Sequence, residues 1–392
     1  MTEISKLIIK KRLSLGLNRR EFSELLELNS NGINRVGQWE NSYSKPPVKI
    51  QEKIFNLKIN PPFIFKKTKN TIKFIDLFAG IGGMRLAMQS LGCKCVFSSE
   101  IDHFAQKTYA KNFGEIPAGD IKNISVDKIP PHEILLAGFP CQSFSTAGNN
   151  LGFQDSRGTL FFEIEKILKN SHPYSFILEN VKNLKNHDNG RTFQIILDKL
   201  KDADYHVGYT VLNAIDFGCP QNRERIFIVG LSKRMFGDIN FQNVFEWPKP
   251  TVKKKYLRDI LESNLTVDGN LTLSEKMYEG HLKRRELNIK NGKRYAFKIF
   301  DSKNDFTGTL SARYFKDGKE ILISQSEINK LPRKISPREA ARLQGFPDNF
   351  IVDAVSISQI HKQFGNSVAV PVIQAVGKSL LNSLKFLKNK KK

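Results

Sequence analysis

The sequence predicts an α/β protein: a doubly wound, mostly parallel sheet, accompanied by a smaller β-rich domain and an all-α unit at the amino end. Three observations carry this. From Ile72 onward, strand-length apolar runs alternate with helical stretches, the pattern of a parallel sheet crossed by helices. The first of these runs, Phe74 to Phe78, opens into Ala79-Gly80-Ile81-Gly82-Gly83 and then a helix, the context in which backbone amides approach a ligand closely. Residues 3 to 56 instead carry helical stripes: Leu7, Ile8, Leu13 and Leu15, then Phe22, Leu25 and Leu26, then Ile33, Val36 and Trp39.

The 392 residues, 40% of them hydrophobic, suffice for two or three domains with proper cores. An excess of 62 Lys+Arg over 39 Asp+Glu gives a formal charge of +23 and calls for a polyanionic partner, nucleic acid before an anionic membrane surface. No apolar run reaches the roughly 18 residues that span a bilayer, and the amino terminus lacks a signal-peptide core. A cytoplasmic protein is expected. Cys93, Cys95, Cys141 and Cys219 make neither a disulfide framework nor a paired C-x-x-C zinc site, so no metal is expected and Cys93-Lys94-Cys95 should pack.

The all-α unit is expected over 1–60. It turns at Leu15-Gly16-Leu17-Asn18, Ser30 or Asn31 caps its third helix, and Glu40-Asn41 closes that helix before Lys45-Pro46-Pro47. This segment resembles the helix-turn-helix of phage repressors, which implies that Asn34, Arg35 and Gln38, with Asn31, line a helix entering a major groove; a helical cap that merely packs is the alternative. Asn60-Pro61-Pro62-Phe63 and Lys66-Lys67-Thr68-Lys69 mark a linker over 61–71. The doubly wound unit follows over 72–248, a basic interval with a hinge over 249–350, and a return to the sheet unit over 351–392.

In the sheet unit, the strand Cys95 to Ser99 ends at Glu100, whose carboxylate can accept both hydroxyls of a ribose. Asp120, in Gly119-Asp120-Ile121, can accept from an adenine amino group. The glycine turn lacks the full G-x-G-x-x-G spacing and no second phosphate cradle follows, so the ligand expected carries adenosine without pyrophosphate, as S-adenosylmethionine does. The strand Glu133 to Ala137 runs into Gly138-Phe139-Pro140-Cys141-Gln142-Ser143-Phe144-Ser145. Pro140 fixes the turn there, and Cys141 reads either as a nucleophile presented at the cleft or as a buried structural thiol. The polar stretch from Ser145 to Gly158 reads as a lid or as a surface loop.

A helix over Phe161 to Leu168 precedes the strand Ser175 to Leu178, which carries Glu179-Asn180-Val181 at its end. Glu179 then faces the same cleft, where low-dielectric walls would raise its pKa so that it donates a proton near neutrality, or it is an ordinary surface glutamate, the commoner reading of an isolated Glu-Asn. Arg223 and Arg225, two apart on the extended approach to the strand Ile226 to Val229, point the same way. They grip a substrate carbonyl or phosphate, or they form a salt-bridged pair on an exposed strand. Ser336-Pro337-Arg338-Glu339 is a capping box for a short helix, Ala340 to Gln344. A closing helix, Pro371 to Leu384, ends before a solvated tail from Lys385.

Five segments, Phe78-Ala79-Gly80-Ile81-Gly82-Gly83, Gly138-Phe139-Pro140-Cys141-Gln142, Glu179-Asn180-Val181, Gln221-Asn222-Arg223-Glu224-Arg225 and Gln363-Phe364-Gly365-Asn366-Ser367-Val368, stand in the order and spacing of the bacterial DNA cytosine-C5 methyltransferases, which the chain resembles from Ile72 to Gly377. The resemblance implies a methyltransferase sheet that binds S-adenosylmethionine through Phe78, Ala79, Gly80, Gly82, Gly83, Glu100, Ile101, Asp120, Ile121, Pro140, Leu160, Asn366, Ser367 and Val368. It implies a catalytic group of Cys141, Glu179, Arg225 and Arg223, with Arg225 holding the cytosine O2 and Arg223 acting there or supporting the loop or the cofactor side, and DNA contacts from Gln142, Ser145 and Arg157. It assigns the interval from Lys249 to Lys334 to target recognition. The stretch Thr309 to Ile323 looks like members that modify the inner cytosine of CCWGG or CCNGG, with Arg313 as the guanine reader.

Double-stranded DNA is then the substrate and a restriction endonuclease the functional counterpart, with a monomer on the methylation site and a dimer on any operator. Ile101 departs from the aromatic residue common at its place, and Asn222 from a lysine. Two rivals stand beside this reading: an RNA methyltransferase with the same chemistry, and a regulator whose first 56 residues are the working part.

Overall fold

The computed structural model describes residues 1–15, 17, 19–29, 31–57, 61–65, 71–140, 160–251, 254–292 and 297–390. The amino-terminal unit is four helices, α1 (Glu3–Ser14), α2 (Arg19–Leu25), α3 (Gly32–Glu40) and α4 (Val48–Asn56). Their apolar stripes close on Ile8, Leu17, Phe22, Leu26, Val36, Trp39 and Ile54. Glu40 is 1% exposed and accepts from Arg12 Nε (2.5 Å) and Arg19 Nε (2.6 Å), so one buried carboxylate ties the first three helices together. Asn34, Arg35 and Gln38 are exposed on α3.

The sheet unit runs β1 (Lys73–Leu77), α5 (Gly83–Ser90), β2 (Lys94–Ser99), α6 (His103–Phe113), β3 (Ile134–Gly138), α7 (Leu160–Ser171), β4 (Ser175–Val181), α8 (Arg191–Asp202), β5 (Tyr205–Asn213), β6 (Glu224–Ser232), α9 (Lys233–Phe236) and α10 (Phe241–Val244). Its six strands lie in the order β2-β1-β3-β4-β6-β5, with β6 antiparallel to both neighbours and the other pairings parallel. Alternate residues serve opposite faces: Phe74, Leu136, Ile177 and Val229 join one core, and Ile75, Leu135, Phe176 and Ile228 the other. Burial on both sides is why these strands read as unbroken apolar runs. Each such side chain contributes about 1.5–3 kcal/mol.

After the sheet come α11 (Glu275–Lys290), β7 (Ile299–Phe300), α12 (Tyr314–Asp317), β8 (Leu322–Gln325), β9 (Lys330–Lys334), α13 (Pro337–Leu343), α14 (Ile357–Asn366) and α15 (Val370–Lys390). The expectation of a β-rich domain over 249–350 is corrected here: among the described residues its three strands are short, 2, 4 and 5 residues, whereas α11 alone has 16. Ser274 caps α11 and good helix formers fill it, but its apolar face is short, Tyr278, His281 and Leu282 packing against Leu273, Phe297 and Leu322, so the stripe in the sequence is weak. The capping box forms as expected, Ser336 Oγ accepting from Glu339 N and Glu339 Oε2 from Ser336 N.

Two further expectations change. The tail is not frayed from Lys385: α15 continues to Lys390, burying Leu380, Leu384 and Leu387 at helical spacing. The 61–71 linker is in part a strap. Phe63 N donates to Asn112 O (3.1 Å), and its ring lies 5.8 Å from that of Phe113 and 6.0 Å from that of Phe350. Gln89 Nε2 donates to Phe63 O (3.2 Å), and Lys111 on α6 pairs with Glu21 on α2 (2.8 Å). The basic run Lys66 to Lys69 lies outside the described residues.

Candidate active site

The carboxyl ends of β1 and β2 carry the glycine turn and Glu100. The chain leaves β1 through Phe78, Gly80 and Gly82, all at positive φ (55°, 54° and 84°). At Gly82 a Cβ would also collide with the Phe113 ring, so glycine is required for conformation and for space. A Cβ on Gly80 would meet nothing within 4 Å, so the loop faces open room there. Glu100 accepts from Gly80 N at Oε2 (2.7 Å) and from Asp102 N at Oε1 (2.8 Å). Each oxygen keeps lone-pair capacity for a ribose hydroxyl. Burial raises the Glu100 pKa against these amide bonds. Beneath the loop Asp76 is 1% exposed, its Oδ2 has no partner among the described residues, and burial pushes its pKa up to about 8 despite the nearby Arg85.

Next to β1 along the sheet come β3, β4 and β6. Gly138 pairs with Glu179, and Val181 with Arg225, so Glu179 and Arg225 project from one face of adjacent strands, two residues out of step. Arg225 Nε lies 3.2 Å from Glu179 Oε1. Glu179 is 8% exposed, and desolvation raises its pKa although Arg225 and Arg223 pull the other way. Asn180 Nδ2 donates to Phe139 O (2.8 Å), pinning the chain two residues before Cys141. Sequence reasoning did not single out Asn180 or Asp76, although both stand inside or beside quoted motifs.

The structure brings Glu179, Arg225, Phe78 to Gly83, Glu100 and the Asn366–Val368 return to neighbouring strand ends. Contact between the glycine turn and the return is direct, because a Cβ on Gly83 would touch Val368 and Ser367. Pro140 is exposed at the exit of β3, and Leu160 opens α7 half-buried. Ile101 is 70% exposed beside Glu100, whereas Ile121 is buried in the core. Asp120 Oδ1 accepts from Lys122 N (3.1 Å), capping a short turn. Arg313 is exposed next to α12. Cys141, Gln142, Ser145 and Arg157 lie outside the described residues.

Arg223 is placed otherwise than a catalytic group. Only 3% exposed, it donates to the carbonyls of Leu310 (3.0 Å), Gly365 (3.1 Å) and Ser367 (2.7 Å). It is a clamp on backbone, joining Leu310 in the interval after the sheet to the turn at the end of α14. Gln221 works beside it, accepting from Leu310 N (2.8 Å) and donating to Leu343 O (3.2 Å).

A glycine loop and the Glu100 carboxylate at the ends of β1 and β2 lie on the same edge of the sheet as the buried Glu179 and its half-buried partner Arg225, the edge at which open α/β sheets bind their ligands. Residues 72–382 match the C-5 cytosine-specific DNA methylase family. The chain belongs to that family and is a cytosine-C5 DNA methyltransferase of the type II restriction–modification class. It is 50% identical to the type II methyltransferase M1.ScrFI of Lactococcus lactis subsp. cremoris over 384 residues, 98% of this chain and 96% of that protein. With M.SsoII of Shigella sonnei it shares 46% over 382 residues, 97% of this chain and 98% of that one. Both alignments therefore reach into the segment ahead of residue 72, which the family match leaves out. The fold also matches the solved methyltransferase EhMeth of Entamoeba histolytica, with a TM-score of 0.65 at 22% identity over 81% of this chain and 99% of that one.

Proposed function

We propose that the protein transfers a methyl group from S-adenosylmethionine to C5 of one cytosine in a short duplex site, the inner cytosine of CCWGG or CCNGG, and so shields that site from a cognate restriction endonuclease. The observation that carries this is the buried Glu179, paired with Arg225 and standing directly beside Gly138 on the strand that leads to Cys141. The residues present fit the cofactor: open room at Gly80 and two carboxylate oxygens on Glu100 suit an adenosine ribose. Phe78 to Gly83, Glu100, Ile101 and Asn366 to Val368 would hold it.

Cytosine C5 is a poor nucleophile while the ring is aromatic. The Cys141 thiolate forms a C–S bond to C6 while Glu179 hydrogen-bonds or protonates N3 and Arg225 holds O2, so the displaced π pair builds up at C5. Bound S-adenosylmethionine supplies the electrophilic methyl group to that carbon. A water molecule takes the C5 proton, whose bonding pair re-forms the C5–C6 double bond; N3 returns any proton it received to Glu179, and the C6–S pair leaves with Cys141 as thiolate. The base must first leave the stack, at a cost of a few kcal/mol, and the segment from Ser145 to Gly158, with Arg157 toward a phosphate, closes behind it. Cys141→Ala is expected to lose tritiated-methyl transfer to duplex DNA while still binding S-adenosylhomocysteine. Ordinary turnover by that variant, or transfer to tRNA in place of duplex DNA, overturns the scheme.

The division into residues 1–60, 61–71, 72–248, 249–350 and 351–392 goes with this reading, as does action by a monomer on the nucleoid in the cytoplasm. For the first of these units we propose operator binding as a dimer through Asn34, Arg35 and Gln38, repressing the enzyme's own gene or a neighbouring nuclease gene. The exposure of all three on α3 supports it. The full chain should footprint upstream DNA, and Arg35→Ala with Gln38→Ala should erase that footprint; no protection by the full chain removes the proposal.

A further inference from the structure

The return helix α14 lies between the cofactor side and the recognition interval, and consecutive residues on it serve the two. His361 and Gly365, four apart and so on one face, serve the recognition side. The His361 ring stands edge-on to Tyr314 at 5.0 Å with its Nε2 2.8 Å from Ile335 O, and a Cβ on Gly365 would collide with the backbone of Ser311 and Ala312. Lys362 and Gln363 serve α6. Lys362 Nζ lies 2.9 Å from Asp102 Oδ2, and Gln363 Oε1 accepts from Thr108 Oγ1 (2.9 Å) in a site where Thr108 is 0% and Gln363 5% exposed. Asp102 also caps α6 through its other oxygen, and its amide holds Glu100 Oε1.

We propose that Lys362 and Gln363 are positioning residues of the cofactor pocket, acting through Asp102 and Thr108 to hold Glu100 and the start of α6 in register with the return helix. The chain of contacts runs from Lys362 to the Asp102 carboxylate, from the Asp102 amide to Glu100, and from Glu100 to the Gly80 amide. Ile101 is aliphatic and so offers adenine no aromatic face to stack on, so more of the pocket's shape rests on this tie. The proposal rests on the S-adenosylmethionine reading above.

The test is calorimetric binding of S-adenosylhomocysteine to the full chain. For a partly exposed ion pair, Lys362→Met should raise Kd about three- to five-fold at low salt, and the difference should shrink in about 0.5 M salt. Lys362→Arg should restore near wild-type binding, and Gln363→Leu should weaken binding without that salt dependence. Melting temperatures are read in parallel, since a merely structural role lowers them and leaves Kd in place. Unchanged Kd in both Lys362→Met and Gln363→Leu overturns the proposal while leaving the cofactor reading intact. Absence of binding by the wild-type protein overturns both, and the two failures are thereby told apart.

Discussion

Arg223→Ala tests how the site is assembled. The guanidinium is 3% exposed and donates to three carbonyls, on Leu310, Gly365 and Ser367, at 2.7–3.1 Å. Burial and the neighbouring Arg225 push its pKa down to about 9, a sign that holding the cation there is costly and that the carbonyl dipoles offset the cost. Truncation leaves the buried carbonyls of Leu310 and Gly365 without this donor at about 1–3 kcal/mol each, and the part-buried carbonyl of Ser367 at less. Relief of the buried charge returns part of that, for a net loss of about 3–5 kcal/mol. A thermal melt with methyl-transfer kinetics reads it: the melting temperature should fall, and the KM for S-adenosylmethionine should rise as the Gly365–Ser367 turn loosens. Arg223→Lys should recover part of the melting temperature, because an ammonium cannot span three carbonyls. An Arg223→Ala protein with wild-type melting behaviour and no methyl transfer would refute the clamp and return Arg223 to the substrate.

Three more outcomes follow from the same geometry. Glu179 has its pKa raised by burial, so its stability contribution is present below the ordinary carboxylate range and is lost as pH rises through the raised value. Glu179→Gln should therefore melt progressively higher than wild type as pH rises, while losing methyl transfer; a pH-independent melting difference contradicts this. Asp76, pushed up to about 8, gives the same sign over a window from about pH 4 to about pH 8, so Asp76→Asn should flatten the pH dependence of the melt across that range. Phe63→Ala removes a half-buried ring lodged beside Phe113 and Phe350 and should cost about 2–3 kcal/mol, below a full core truncation; an unchanged denaturation midpoint would mean that the strap does not hold.

The parts of the fold legible in the sequence are those encoded locally. Strand, glycine turn and helix are contiguous from Lys73 to Ser90, and the strand-end positions of Glu100 and Glu179 follow from where the apolar runs stop. Arg223 was not legible as a clamp because its carbonyl partners lie 87, 142 and 144 residues away, and a pair of arginines two apart does not say which one turns inward. The helix α11 was hidden by the shortness of its apolar face, since only Tyr278, His281 and Leu282 pack on a core while charged residues fill most of the rest. The end of α15 is different: Leu380, Leu384 and Leu387 keep helical spacing, but the lysines around them dominate the composition. Asp76 carried no local sign at all, because a carboxyl in a strand declares itself only by what the fold places over it.

Methylome sequencing of a host expressing the chain, alongside one expressing Cys141→Ala, tests the central claim most directly, since it reports base, position and context together. The account predicts 5-methylcytosine at the inner cytosine of CCWGG or CCNGG with the intact chain and none with Cys141→Ala. Methyl marks on adenine or on a cytosine amino group, or 5-methylcytosine persisting with the Cys141→Ala protein, would contradict it.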